Sequence, residues 1–193
     1  VAIDDFARKP VAQQLKLKER FQAALSHAMR DIAPGAELIV GKIFDRSLTT
    51  NAATLADGIT WAADHGARLI NLSLGTANRA HEEKLRDAVA HATARGAVVV
   101  AARDTGIAWL PGALPGVASV AADPQLDRSE FGLDAVGFLA APFPRPIPGV
   151  PKERNLSGVS FAVANTSGFL ARLFECDPEL RSIADVQAAL GLR

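Results

Sequence analysis

Between Gly96 and Arg103 the chain runs through six apolar residues without a break, Ala97-Val98-Val99-Val100-Ala101-Ala102. A helix on a protein surface shows a polar face every three or four residues, and a half-exposed strand alternates. An unbroken short run rich in β-branched residues instead fits a strand covered on both faces, as in a parallel sheet. The neighbouring stretches agree. Residues 67–74, 117–122 and 135–141 are further strand candidates, as are residues 37–44 near the start. Between them lie amphipathic stretches of helical period. In residues 13–32, Leu17, Phe21, Ala24, Leu25, Ala28, Met29 and Ile32 share one stripe. Residues 51–65, 80–95, 160–175 and 183–190 read as helices, with Gly66 and Gly96 as stops. Ala33-Pro34-Gly35 ends the first helix, because proline cannot continue the ladder. Residues 142–151 hold five prolines and read as a loop.

Strand and helix alternation of this kind gives βαβ units. The expected fold is α/β, a compact three-layer arrangement with a mostly parallel sheet and helices on both faces. With 193 residues and no repeat or linker, one domain over residues 1–193 is expected. A hydrophobic content of 49% excludes a disordered chain. The 21 basic and 21 acidic residues cancel, which argues against a nucleic-acid partner. No apolar run approaches the roughly 20 residues that cross a bilayer, so no membrane partner is expected. The first residues read as a strand and not as a secretory leader. The single cysteine, Cys176, has no internal partner for a disulfide, and it is expected as a buried or half-buried apolar residue. A cytoplasmic location follows as the expectation.

Five segments, in order, resemble the subtilisin-like serine proteases. Ala33-Pro34-Gly35-Ala36-Glu37-Leu38 is similar to the family's "APGAEL". Trp61-Ala62-Ala63-Asp64-His65-Gly66-Ala67 leads into Ile70-Asn71-Leu72-Ser73-Leu74-Gly75, close to "WAxxxGAxVINLSLG". Residues 95–102 resemble the strand before the oxyanion asparagine, and residues 114–122 resemble "YPGVIAVGA". Leu156-Ser157-Gly158-Val159-Ser160-Phe161-Ala162 resembles the serine motif "LSGTSMA".

The resemblance implies an aspartate, a histidine and a serine in that chain order, with the serine as nucleophile and the histidine as its base. Ser160 matches the serine, and a serine there is also a good helix N-cap. Asp4 matches the aspartate at a strand end, with a register slip to Asp5 open. The histidine position falls on Phe21, on an apolar stripe, and "HGT" occurs nowhere. His27 lies six residues further on, about 600° of helical turn and about 9 Å of rise away. His65, His81 and His91 read as surface or capping residues.

At the oxyanion asparagine the chain has Asp104, in Ala101-Ala102-Arg103-Asp104. An ionised carboxylate accepts hydrogen bonds and donates none. Val159 also replaces the threonine before the serine. In subtilisin, losing the amide donor costs on the order of 100- to 1000-fold in rate. Losing the histidine or the serine there costs roughly a millionfold. The start of the helix at Ser160 offers free N–H groups and a positive dipole end, so Asp104 is expected to fill its own oxyanion hole.

The resemblance further implies that Ser73, Leu74, Gly75, Ala101 and Ala102 flank a bound peptide and its first specificity pocket. Peptide binding along such an edge uses main-chain hydrogen bonds and needs no triad. The sequence therefore reads as a degenerate subtilisin-like domain, a pseudoprotease that binds a peptide or protein partner. The alternatives are an active endopeptidase with Ser160 as nucleophile and a non-standard base, and a purely structural domain of a larger assembly. No cofactor and no metal site are indicated.

Overall fold

A computed structural model describes residues 23–44, 50–104 and 106–191. Residues 23–32 form helix α1, which ends at the turn of Pro34 and Gly35. Then come α2 (Ala52–Asp64), β1 (Leu69–Leu72), α3 (Glu82–Ala94), β2 (Val98–Ala102), β3 (Val117–Ala122), β4 (Phe131–Leu133), β5 (Phe138–Ala140), α4 (Val159–Cys176) and α5 (Ile183–Ala189). The sheet order is β1-β2-β3-β5-β4. The first four strands pair in parallel, and β4 pairs antiparallel with β5 at one edge.

The period of two in β2 explains the layers. Val99 and Ala101 pack with Ile70, Leu72 and Val117 against the helices α2 and α3, through Ile59, Leu85 and Val89. Val98, Val100 and Ala102 point the other way and pack with Val120 and Phe138 against α4 and α5. Both faces of β2 are thus covered, as its unbroken apolar run requires. Full burial of a side chain such as Ile59 or Leu85 contributes roughly 1.5–3 kcal/mol.

Local chemistry sets the helix ends. The Asn51 side chain accepts from the Thr54 amide at 2.8 Å and caps α2. Gly66 and Gly96 follow α2 and α3 with φ of +80° and +75°, the left-handed conformation that glycine adopts without strain. Asp64 at the end of α2 pairs with His91 and Arg95 at the end of α3, which joins the two helices on the surface. α1 meets α4 closely. A Cβ on Gly168 would lie 2.8 Å from the Ile32 Cβ, so only glycine allows that crossing.

Three points differ from the expected elements. Residues 37–44 run outside the sheet and form no strand. Val40 is 75% exposed there, and Gly41 rests on the Trp61 ring instead. Apolar content alone does not make a strand, because its N–H and C=O groups need a paired neighbour. Cys176 is exposed, because it is the last residue of α4, where the helix leaves the core. The third correction is an addition. The short edge strand β4 is not legible in the sequence, since three residues carry no period. Elsewhere among the described residues the differences are of one to three residues at element ends, and residues 1–22, with the expected first strand and the start of the first helix, lie outside them.

Candidate functional site

Parallel strands carry their C-terminal ends to one side of the sheet, where open α/β folds place ligands. Residues 73–76 leave β1 on that side, and residues 103–104 and 106–109 follow β2. The start of α4 comes to the same place. Gly158, with φ +155°, makes the turn into α4, and its amide donates to the Pro142 carbonyl at 2.9 Å. Ser160 follows as the second residue of the helix.

Ser160 and Ser73 face each other. The Ser160 Oγ lies 3.4 Å from the Ser73 carbonyl, and the Ser73 Oγ lies 3.4 Å from the Ser160 carbonyl. These contacts are long for O–H···O bonds, so the Ser160 hydroxyl is only loosely held. Beneath them the Ser73 hydroxyl donates to Asn71 Oδ1 at 3.2 Å, and Asn71 Nδ2 donates to Ser167 Oγ at 2.9 Å. Ser167 in turn donates to the Val163 carbonyl inside α4. This chain of bonds ties the end of β1 to α4.

On the other side, Asp104 is exposed, and its Oδ1 accepts from the Gly106 amide at 2.7 Å. No hydrogen bond joins it to the Ser160 amide among the described residues. The expectation that Asp104 fills the oxyanion position is therefore corrected. An aspartate in a turn satisfies itself most readily on the amide two residues on, and here it does so. Arg103, by contrast, points inward, with 7% of its side chain exposed, and pairs with Asp134. Partial burial raises the Asp134 carboxyl. The Val136 and Gly137 amides and the Arg103 guanidinium outweigh that and hold it below its ordinary value.

The two sides border a cavity of about 1410 Å³, whose walls include Ser73, Gly75, Ala102, Asp104, Trp109 and Ser160. Leu74 also lines it, but Ala101 does not. Ala101 is fully buried in the core against α2 and α3. Of the expected peptide-flanking residues, the fold thus brings together Ser73, Leu74, Gly75 and Ala102. Asp4 and Phe21 lie outside the described residues.

No histidine lines the cavity. His27 is exposed on α1. His65 bonds the Trp61 carbonyl and stacks on its ring, His81 meets Asn78, and His91 pairs with Asp64. Among the described residues no group of three or more His, Cys, Asp or Glu is placed to hold a metal ion. No described helix is long and apolar enough to cross a membrane.

Two features of the site escape a reading of motifs. Trp109 lines the cavity together with Ser160, and Asn165 anchors the middle of α4, the helix that carries Ser160. Asn165 is fully buried and donates to the Ala141 and Phe143 carbonyls while accepting from Arg128. An asparagine in the middle of an apolar helix was the signal available for the second.

Residues 20–104 match the sequence profile of the Subtilase family. Thermitase of Thermoactinomyces vulgaris is 32% identical over 165 residues, which cover 82% of this chain and 57% of that protein. The thermophilic serine proteinase of Bacillus sp. (strain AK1) is 36% identical over 100 residues, half of this chain and 24% of that protein. The chain thus spans about half or less of the length of these relatives. Among solved structures, sphericase superposes with a TM-score of 0.62 at 23% identity, over 81% of this chain and 60% of that one, a likeness of fold. With relatives at about a third identity and the same fold beneath the serine motif, the chain belongs to the subtilase family.

Proposed function

We propose that this chain is a pseudoprotease, a subtilisin-like domain that binds a peptide or protein partner in the cleft beside Ser160 without cleaving it. The observation that carries the reading is the company Ser160 keeps. Its hydroxyl lies against a main-chain carbonyl, and none of the four histidines lines its cavity. A serine hydroxyl without a base is a weak nucleophile. The sequence resemblance matches Asp104 to the family's amide donor, and a carboxylate there adds nothing that would stabilise an oxyanion. What supports binding is the open cavity beside Ser160. Ser73, Leu74 and Gly75 line it, and no hydrogen bond engages the Gly75 main chain among the described residues. An extended peptide finds free main-chain groups there.

The second reading is an active endopeptidase. It is favoured by a relative that is named as a serine proteinase, and by the delivery of Ser160 to the head of α4 at the cleft. Fluorophosphonate labelling of the wild type beside Ser160→Ala, read by intact mass, decides between them. No adduct, under conditions that label an ordinary subtilisin completely, is the expected result. An adduct that disappears in Ser160→Ala overturns the pseudoprotease and puts the endopeptidase first.

A further inference from the structure

Behind the residues that follow β2 lies a second, smaller pocket of about 330 Å³. Arg103, Asp104 and Trp109 border both spaces, but neither Ser160 nor any of residues 73–76 lines this one. The sheet builds its polar end. The ladder continues past β2, since the Arg103 amide donates to the Val120 carbonyl at 2.8 Å. With a period of two, Arg103 projects to the same face as Ala101. Ser119 sits beside Ala101 in the register of β3 and shares that face with Val117. A guanidinium and a hydroxyl thus arrive on one face of adjacent strands, and both line the pocket. Both are also short of partners. Ser119 is buried, and its hydroxyl has no hydrogen bond among the described residues. Arg103 gives Nη2 to Asp134, but its buried Nε has no partner there either. Buried polar groups left unpaired cost free energy, and a ligand that completes them recovers it. The rest of the wall is largely apolar. Ile107 and Val136, 56% and 66% exposed, stand at the rim, with Ala108 and Trp109 beside them.

We propose that this pocket binds a small neutral molecule, a primary carboxamide on a branched aliphatic body, whose carbonyl oxygen accepts from Arg103 Nε and whose N–H₂ group meets Ser119 Oγ. The inference is independent of the peptide-binding reading. A carboxylate would suit the donors but not the charge. The Arg103 guanidinium is already answered by Asp134, and Asp104 adds a second carboxylate to the wall. One cation and two anions leave the site net negative, so it repels an anion and accepts a neutral oxygen. A ketone completes the nitrogen alone. A carboxamide both accepts and donates, which matches a nitrogen that only donates and a hydroxyl that does either. The apolar rim takes the aliphatic body, and the volume is at the small end for ligand sites, as a molecule of this size requires.

The probes are isobutyramide and isobutyrate, which match in shape and differ in charge. Binding is read from the Trp109 indole N–H signal in two-dimensional NMR, assigned by its persistence in Trp61→Phe. At neutral pH the wild type is expected to bind isobutyramide saturably and at least about tenfold more tightly than isobutyrate. Ser119→Ala is expected to weaken isobutyramide about three- to tenfold, the worth of one neutral hydrogen bond. Its Tm is expected to stay level or rise, because the hydroxyl it loses had no partner. Ser119→Cys, close in volume and a weaker donor, stands in if the alanine variant does not fold. Isobutyrate bound as tightly as isobutyramide overturns the inference, as does an unchanged isobutyramide affinity in a folded Ser119 variant. A lowered Tm in Ser119→Ala shows that the hydroxyl is already engaged and overturns it as well. No saturable shift with either probe at about 0.1 M, far above a millimolar Kd, shows that ordered water alone completes the two groups, and the carboxamide site falls.

Discussion

The two walls of the cleft leave adjacent parallel strands at the same level, yet they are built differently. The wall after β1, residues 73–76, carries Ser73-Leu74-Gly75, which resemble the family's motif, and is tied on both sides. Asn71 and Ser73 link it to α4, and Thr76 links it to Leu110. Its polar groups are hydroxyls and amides, which carry no charge at any ordinary pH. The wall after β2 has Arg103 and Asp104 where the resemblance implies a glycine and an asparagine. It is held by a charge pair, Arg103 with Asp134, and by a turn that Asp104 closes on Gly106. One wall offers hydroxyls, amides and main-chain groups. The other offers a guanidinium paired to a carboxylate, and a second carboxylate turned to its own loop. Binding needs the first, whereas hydrolysis needs both and a base as well.

The contrast is easiest to break where the second wall is supported from behind. A Cβ on Gly112 would lie 2.0 Å from the Ala102 carbonyl oxygen and 2.8 Å from its carbon, both main-chain atoms that cannot step aside. Gly112→Ala is expected to cost about 3 kcal/mol, at the upper end for overpacking. For a chain of this size that lowers Tm by about 6–12 °C. Thermal unfolding measures it, and an unchanged Tm would show that the wall after β2 is soft.

Acid is expected to separate the walls by a smaller margin. The Asp134 carboxyl titrates below its ordinary value in the folded protein. A lowered folded pKa means that its contribution is fully present above the unfolded value and is lost as pH falls through the folded one. Below the ordinary carboxylate range, amide hydrogen exchange in residues 103–109 is expected to quicken before that in residues 73–76, after correction for intrinsic rates. Equal acceleration in both segments would mean that the Arg103 pair is not what holds the second wall.

Asp104→Asn is expected to change least. The new side chain still offers an oxygen to the Gly106 amide, so stability stays within about 0.5 kcal/mol by thermal unfolding. Restoring the amide is worth on the order of 100- to 1000-fold in rate. The deficit from a missing base is roughly a millionfold. Fluorophosphonate labelling of Asp104→Asn is therefore expected to stay absent, and strong labelling would show that a base is already at hand.

Much of the fold was legible because it depends on local pattern. The run at residues 97–102 announced a strand buried on both faces. Asn51, Gly66 and Gly96 marked helix ends through capping and backbone freedom. The serine motif placed Ser160 at a helix start, where it lies. Residues 37–44 misled because they carry the composition of a strand, while pairing depends on a neighbour that composition does not name. Cys176 misled for a similar reason, since cysteine is most often buried, whereas exposure here follows from where α4 ends.

The sequence by itself determined the alternation of strands and helices, the face that α3 buries, and the order of the segments that resemble the family's. These follow from periods of two and 3.6 residues and from residues within a few positions of one another. Only the tertiary structure decided that Asp104 turns to Gly106, that Arg103 turns inward to Asp134, and that Trp109 crosses to Gly75. Each of these is a choice among partners tens of residues apart or among competing amides. Packing settles such choices, and no pattern along the chain encodes them.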